Sequence, residues 1–348
     1  MRIILLLTCI ICFSNFNAQD TVKVNTTLSP EEQAQYDYNA GIAALNKGEF
    51  QGAVDMFTKS LVNKPGFDKA LYNRGIAYTQ MKKYGEASAD INTVLKANPK
   101  HTEAHFAKAM MFYNQKMKDS CIRSLDNCIA INKHPEAYYY KGLLAYQIAD
   151  YDEAIKDYSG AIEAKSDYAY AYNDRASAKR AKNDYAGAIA DYEKAISLNP
   201  SLTFIYNNLG SAYRLNKNYP KAIECYTKAM ADKPDYLVAL NNRGATKLEN
   251  GNLNEAKKDF EDVLLKDPKN SSAFNNLASV AIKQKDYKKA KDMASKAIEL
   301  NSNNGPAYFN RGIAKQMLHD EEGSCGDWKK ASDLGVSAAK TFMNTDCN

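Results

Sequence analysis

The 348-residue chain has no long run of one charge, no glycine-rich phosphate loop and, beyond its first residues, no long apolar segment. Its 46 Lys and Arg are interleaved with 41 Asp and Glu, for a formal net charge of +5. A nucleic-acid partner would call for a concentrated basic face, so none is expected. Without the glycine-rich loop there is no ready cradle for phosphate. No nucleophile–base pair or carboxylate dyad stands out, so neither a catalytic residue nor a cofactor is expected. Histidine is scarce, with four residues. The stretch HTEAH at 101–105 imitates a zinc motif, but a zinc protease needs Glu directly after the first His. Glu103 comes one residue later and falls on another helix face, so no metal site is expected. Tryptophan occurs once and phenylalanine 12 times, against 24 tyrosines.

The N-terminus is the apolar exception. Arg2 precedes the stretch Ile3 to Phe13, and polar SNFNAQD follows. A charged start, an apolar core of this length and a small residue at Ala18 describe a cleaved secretory signal over residues 1–18. The stretch is short for a transmembrane helix, and no membrane span is expected after cleavage. A lipoprotein signal on Cys9 fits poorly, because Ile10 and Ile11 continue the apolar run. The expected location is periplasmic or extracellular. Residues 19–33 read as a flexible leader and first cap. Within them Ser29-Pro30-Glu31-Glu32 offers a helix cap, a first-turn proline and a capping-box Glu.

What the chain has in abundance is itself. Aligned on Gly41, Gly75, Gly142, Gly210, Gly244 and Gly312, it divides into nine units of about 34 residues. They start at Ala34, Asp68, Thr102, Pro135, Ala169, Thr203, Leu237, Ser271 and Gly305, and only the third is a residue short. With the aligned small residue as position 8, position 20 is small throughout, as at Ala53, Ala154 and Ala256. Position 24 is usually large, as at Phe57, Tyr158 and Trp328. Position 32 is often proline, which ends the second helix. This pattern resembles the tetratricopeptide repeat family over residues 34–334. The resemblance implies an all-α fold: a right-handed superhelical solenoid of helix-turn-helix units, each unstable alone and stacked on its neighbours. Residues 335–348 then form a C-terminal capping helix and tail, with the helix expected over 336–344.

Position 7 is normally apolar in this family, yet here it is often basic, and position 23 varies with it. Every Asp at position 23 accompanies a basic position 7. Correlated pairs suggest contact. Intra-repeat ion pairs are therefore expected at Arg74–Asp90, Lys141–Asp157, Arg175–Asp191, Arg243–Asp259 and Arg311–Asp327. The other reading is that both groups are solvated.

In the family, helix A lines a concave groove. Position 6 is Asn39, Asn73, Asn208, Asn242, Asn276 and Asn310, interrupted at Ala107, Tyr140 and Asp174. Stacked asparagines resemble the ladder of the O-GlcNAc transferase family, and an amide can clamp a peptide backbone through donor and acceptor. Solvated asparagines are the alternative. Positions 5 and 9 share a face. They are aromatic and aliphatic in the first four units, as at Tyr72/Ile76 and at Tyr139. In units five to eight position 5 is Asn173, Asn207, Asn241 and Asn275, with small residues at position 9. The tyrosines read either as ligand anchors or as packing between repeats. The family's carboxylate clamp needs Lys at position 5 of a first unit and Asn at position 9, and neither is present.

Cys121 and Cys128 lie seven residues apart on one helix, about 10 Å of rise, too far for a disulfide. They read as buried thiols. Cys325 opens the last helix B and Cys347 follows the short terminal helix, so the two can bridge in an oxidising compartment. The segment GSCGDWKKASDLG resembles the closing unit of secreted bacterial members of the family, which implies a Gram-negative envelope. The function implied is a non-catalytic scaffold for a protein or peptide partner. The alternative is a glycan- or cell-wall-associated accessory subunit of an enzyme complex.

Overall fold

A computed structural model describes residues 28–231 and 233–347. The signal segment and most of the leader lie outside these residues. Among the described residues there are 19 helices and no strand. They group into two compact units, one ending at Pro99 and the other beginning at Lys100.

The first unit holds α1 (Pro30–Asn46), α2 (Phe50–Asn63), α3 (Asp68–Gln80) and α4 (Tyr84–Ala97). Helix α1 begins at Pro30, ahead of the repeat register. Ser29 accepts from the Glu32 N–H while the Glu32 carboxylate accepts from the Ser29 N–H at 2.8 Å. This reciprocal cap satisfies two of the donors that a helix start leaves open. The second unit runs α5 (Thr102–Asn114), α6 (Lys118–Asn132), α7 (Pro135–Gln147), α8 (Tyr151–Ala164), α9 (Ala169–Ala181) and α10 (Tyr185–Leu198). It continues with α11 (Phe204–Leu215), α12 (Tyr219–Ala229), α13 (Leu237–Glu249), α14 (Leu253–Lys266), α15 (Ser271–Lys283) and α16 (Tyr287–Leu300). It closes with α17 (Gly305–Met317), α18 (Glu321–Asp333) and α19 (Ser337–Asp346). Each odd helix packs on the even helix after it, and each hairpin packs on the next within its unit. The fold is an all-α solenoid of helical hairpins, and α19 caps its last hairpin.

All hairpins but the eighth, which has Ala294 at this position, close on a large side chain of helix B lying over a small residue of helix A. Trp328 is the extreme case: a Cβ added at Gly312 would run into its indole nitrogen. Tyr158, Tyr192, Tyr226, Phe260 and Trp328 are wholly buried in this role. The A–B turns share one backbone device. Position 15 has positive φ in every hairpin, from 59° at Lys217 to 87° at Gly251. At the short third unit, α6 continues to Asn132 and Lys133 turns the chain at φ 28°. His101 and His134 are spent as N-caps, each accepting through Nδ1 from a backbone N–H of α5 or α7.

The terminal cap has its own core. Phe342 of α19 lies 5.1 Å from Trp328 and 5.2 Å from Phe309, centroid to centroid. Cys325 and Cys347 are joined by a disulfide. Cys121, Cys128 and Cys225 are free and buried. Burial pushes the Cys121 thiol up to about 11 and the Cys128 thiol up to about 12, which makes both poor nucleophiles.

Candidate functional site

The recurrent arginine faces inward and is held by three helices. From α3, Arg74 donates through Nε and Nη2 to both oxygens of Asp90 on α4, at 2.7 and 2.8 Å. Its Nη1 reaches back to Thr58 on α2 at 3.1 Å. Arg175 repeats this with Asp191 and Ser159, and Arg243 with Asp259 and Thr227. Arg311 forks onto Asp327 at 2.8 and 2.7 Å. The planar guanidinium suits a task that needs three donors in fixed directions. Each carboxylate in these pairs is buried, so the group joins neighbouring helices and is not offered to a ligand.

Sequence comparison overlooked a second cation. Lys179, Lys247 and Lys315 reach Asp191, Asp259 and Asp327 at 2.7, 3.1 and 2.9 Å. All three stand at position 11, which is lysine in units five, seven and nine alone. The same internal comparison extended to that position would have found them.

Lys141 departs from the expected pairing. Its Nζ hydrogen-bonds Asp126 on α6 at 2.9 Å and stands 3.9 Å from Asp157. A single ammonium has no fork with which to span both carboxylates. Asp157 Oδ2 is left buried without a hydrogen-bond partner. Burial pushes the Asp157 carboxyl up to about 6, against the pull of the Lys141 charge.

The asparagines form a ladder, but one that is tied across repeats. In repeats six to nine, position 6 donates to position 5 of the repeat before it. Asn208 donates to Asn173, Asn242 to Asn207, Asn276 to Asn241 and Asn310 to Asn275, at 3.2, 3.1, 2.9 and 2.8 Å. Asn173 and Asn207 are buried. Position 5 supplies a phenol where it is tyrosine: Asn73 donates to the Tyr38 hydroxyl at 3.3 Å, and the Tyr139 hydroxyl donates to Asp174 at 2.7 Å. The switch from Tyr to Asn at position 5 therefore preserves one joint in two chemistries. Asn39 is exposed and accepts from Gln35 on its own helix. These bonds use the Nδ2 donors of Asn208, Asn242 and Asn276, not their Oδ1 acceptors.

The aromatic residues at position 5 pack towards the next hairpin. Tyr139 lies 5.1 Å from Tyr168 and 5.8 Å from Tyr158. Phe106 stacks on His134 at 4.7 Å, and Tyr38 lies 5.1 Å from Phe67. Of the two readings offered by sequence, the geometry of Tyr139 corresponds to packing between repeats. Tyr72 and Ile76 are half-buried. Exposed apolar side chains sit instead at position 2 of three consecutive units: Tyr170, Phe204 and Val238, at 45%, 38% and 57% exposure.

Comparison with known proteins agrees with this architecture. Tetratricopeptide repeat models match residues 68–101, 129–169, 204–231 and 247–310, and a further TPR repeat model matches residues 176–217. No curated protein matches the chain. Among solved structures, a tetratricopeptide repeat protein from Parabacteroides merdae aligns with TM-score 0.63 at 18% identity, covering 71% of this chain and 99% of that one. Yeast Tom70 aligns with TM-score 0.51 at 14% identity, over 91% and 89% of the two chains. Pseudomonas aeruginosa PilF aligns with TM-score 0.50 at 19% identity, over 60% and 96%. At these identities the likeness is one of fold.

Proposed function

The chain belongs to the tetratricopeptide repeat family, and we propose that it is a non-catalytic scaffold that binds a peptide or protein segment along its helix-A groove. One observation carries the reading. On α11, α13 and α15 a position-6 asparagine recurs once per repeat, and Tyr170, Phe204 and Val238 are exposed near the starts of α9, α11 and α13. Regular amides suit a polypeptide backbone and exposed apolar groups suit its side chains. We also place the protein in the bacterial envelope. The signal-like residues 1–18 support this, and the Cys325–Cys347 disulfide fits an oxidising compartment. Among the described residues no helix is long and apolar enough to cross a membrane.

Photo-crosslinking in producing cells tests both parts. Crosslinkers at Asn242 and Asn276 are expected to capture a protein partner in the periplasmic fraction, and one at the exposed Lys258 of α14 is not. Equal capture at all three sites, or a protein retained in the cytoplasm, would sink the reading.

A further inference from the structure

We infer that the helix-A face of α9, α11 and α13 receives an extended acidic peptide, with Arg180 and Arg214 gripping a carboxylate. The inference rests on the scaffold reading above and names its ligand class. Both arginines stand at position 12, which is uncharged in every other unit, as at Leu45, Tyr146 and Leu248. They differ from the arginines at position 7, which lie over a buried Asp of their own hairpin. Among the described residues, Arg180 has no carboxylate within ion-pair distance. Arg214 has one contact, Nη1 to Glu249 at 3.2 Å, and its Nε is buried without a hydrogen-bond partner. A guanidinium offers five N–H donors, so most of this pair is unspent.

The two side chains stand at the same position of α9 and α11, two helices that touch. Burial raises the Tyr226 phenol, and the Ser211 hydrogen bond and the charges of Arg214 and Arg180 pull it back down. Burial also raises Tyr192, and the Arg180 charge opposes it. Like charges gathered at a half-buried surface repel one another, and an anion between them relieves that cost.

The rest of the face selects the kind of anion. Seven residues before each arginine, two turns along the same side of the helix, stand Asn173 and Asn207. Near the helix starts stand the exposed Tyr170, Phe204 and Val238. A free phosphate or a nucleic-acid backbone would use the cations and leave the apolar groups idle. An extended acidic peptide uses all three features: an apolar side chain at position 2, backbone amides beside the ladder, and a carboxylate at position 12.

Fluorescence anisotropy on the full chain tests this with two labelled decamers, one alternating Asp and Leu, the other Lys and Leu. The Asp-Leu decamer is expected to bind the wild type at least about tenfold more tightly than the Lys-Leu decamer, and to weaken as salt rises. Arg180→Gln with Arg214→Gln, helical by circular dichroism, should lose about tenfold for the Asp-Leu decamer. Arg180→Glu with Arg214→Glu should now prefer the Lys-Leu decamer, a gain that misfolding cannot produce. Equal binding of the two decamers to the wild type overturns the inference, as does binding indifferent to the arginines. Tighter binding of a poly-dT oligonucleotide than of the Asp-Leu decamer overturns it too. A protein captured at Asn242 equally with and without the two arginines also overturns it, while leaving the scaffold standing. Absence of any capture at Asn242 and Asn276 in the wild type counts against the scaffold itself.

Discussion

Arg243 and Asp259 show what the inward arginine does for this protein. The carboxylate is buried and takes both fork donors, and Lys247 holds it as well at 3.1 Å. Breaking a buried pair costs roughly 3–5 kcal/mol, because one charge is left without compensation. Lys247 remains as a partner, so Arg243→Leu is expected to cost about 2–3 kcal/mol in urea denaturation. Adding Asp259→Met should restore most of the loss, since Lys247 keeps Glu255 within 3.4 Å. A double mutant as unstable as the sum of the singles would show that the pair contributes nothing. Asp157 is the opposite case, a buried carboxylate half-served by lysine. Its folded pKa is raised from 3.8 to about 6, so the folded state holds the proton more tightly than the unfolded chain. Below the lower value both states are protonated and no penalty exists; stability is lost as pH rises through the upper value. Asp157→Asn is expected to remove that loss and to raise stability at pH 7 by about 1–3 kcal/mol, with little change at pH 4. Urea midpoints at the two pH values check it.

At the scale of the element, the hairpin is a large helix-B residue closing over a small helix-A residue, joined by a left-handed turn. That turn is glycine at Gly48 and Gly251 and an ordinary residue elsewhere, including Ala149 at φ 60°. A Cβ in this region meets the following carbonyl, at roughly 1 kcal/mol or more for a residue without a polar side chain. Ala149→Gly should therefore raise stability by about 0.5–1 kcal/mol after glycine's larger unfolded-state entropy is subtracted. Gly251→Ala should lower it by a similar amount. Thermal denaturation of the two variants gives the signs, and two shifts in the same direction would contradict the argument. The turns were legible in sequence as short connections. Their handedness was not, because lysine is the commonest residue at the position, as at Lys82, Lys116, Lys217 and Lys285, and carries no signal of positive φ.

At the scale of the molecule, a repeat array must close its apolar end face. Here α19 lays Phe342 against Trp328 and Phe309, and the Cys325–Cys347 bond spans a separation of 22 residues. Loop-closure entropy assigns such a bond about 3 kcal/mol. Cys347→Ser is expected to speed hydrogen exchange over residues 337–346, and the effect should fade towards α13, because each repeat contacts only its neighbours. Uniform acceleration along the chain would contradict this local role. Intact mass with and without reductant should differ by two hydrogens.

The sequence by itself determined the repeat, the pairing of position 7 with position 23, and the cap that Ser29 and Glu32 build. Each depends on residues close in sequence or recurring at a fixed period, so nine copies in one chain reveal it. Only the tertiary structure decided where the asparagines and tyrosines of the helix-A face spend their hydrogen bonds. The partner of Asn242 is Asn207, and that of Tyr139 is Asp174. These contacts cross from one hairpin to the next and are made by two different side chains at position 5. A pattern read within one repeat cannot see a joint between two. For the same reason sequence left Tyr139 open between ligand anchor and packing, while Arg180 and Arg214, on helices that meet only in the fold, carry no signal within one repeat.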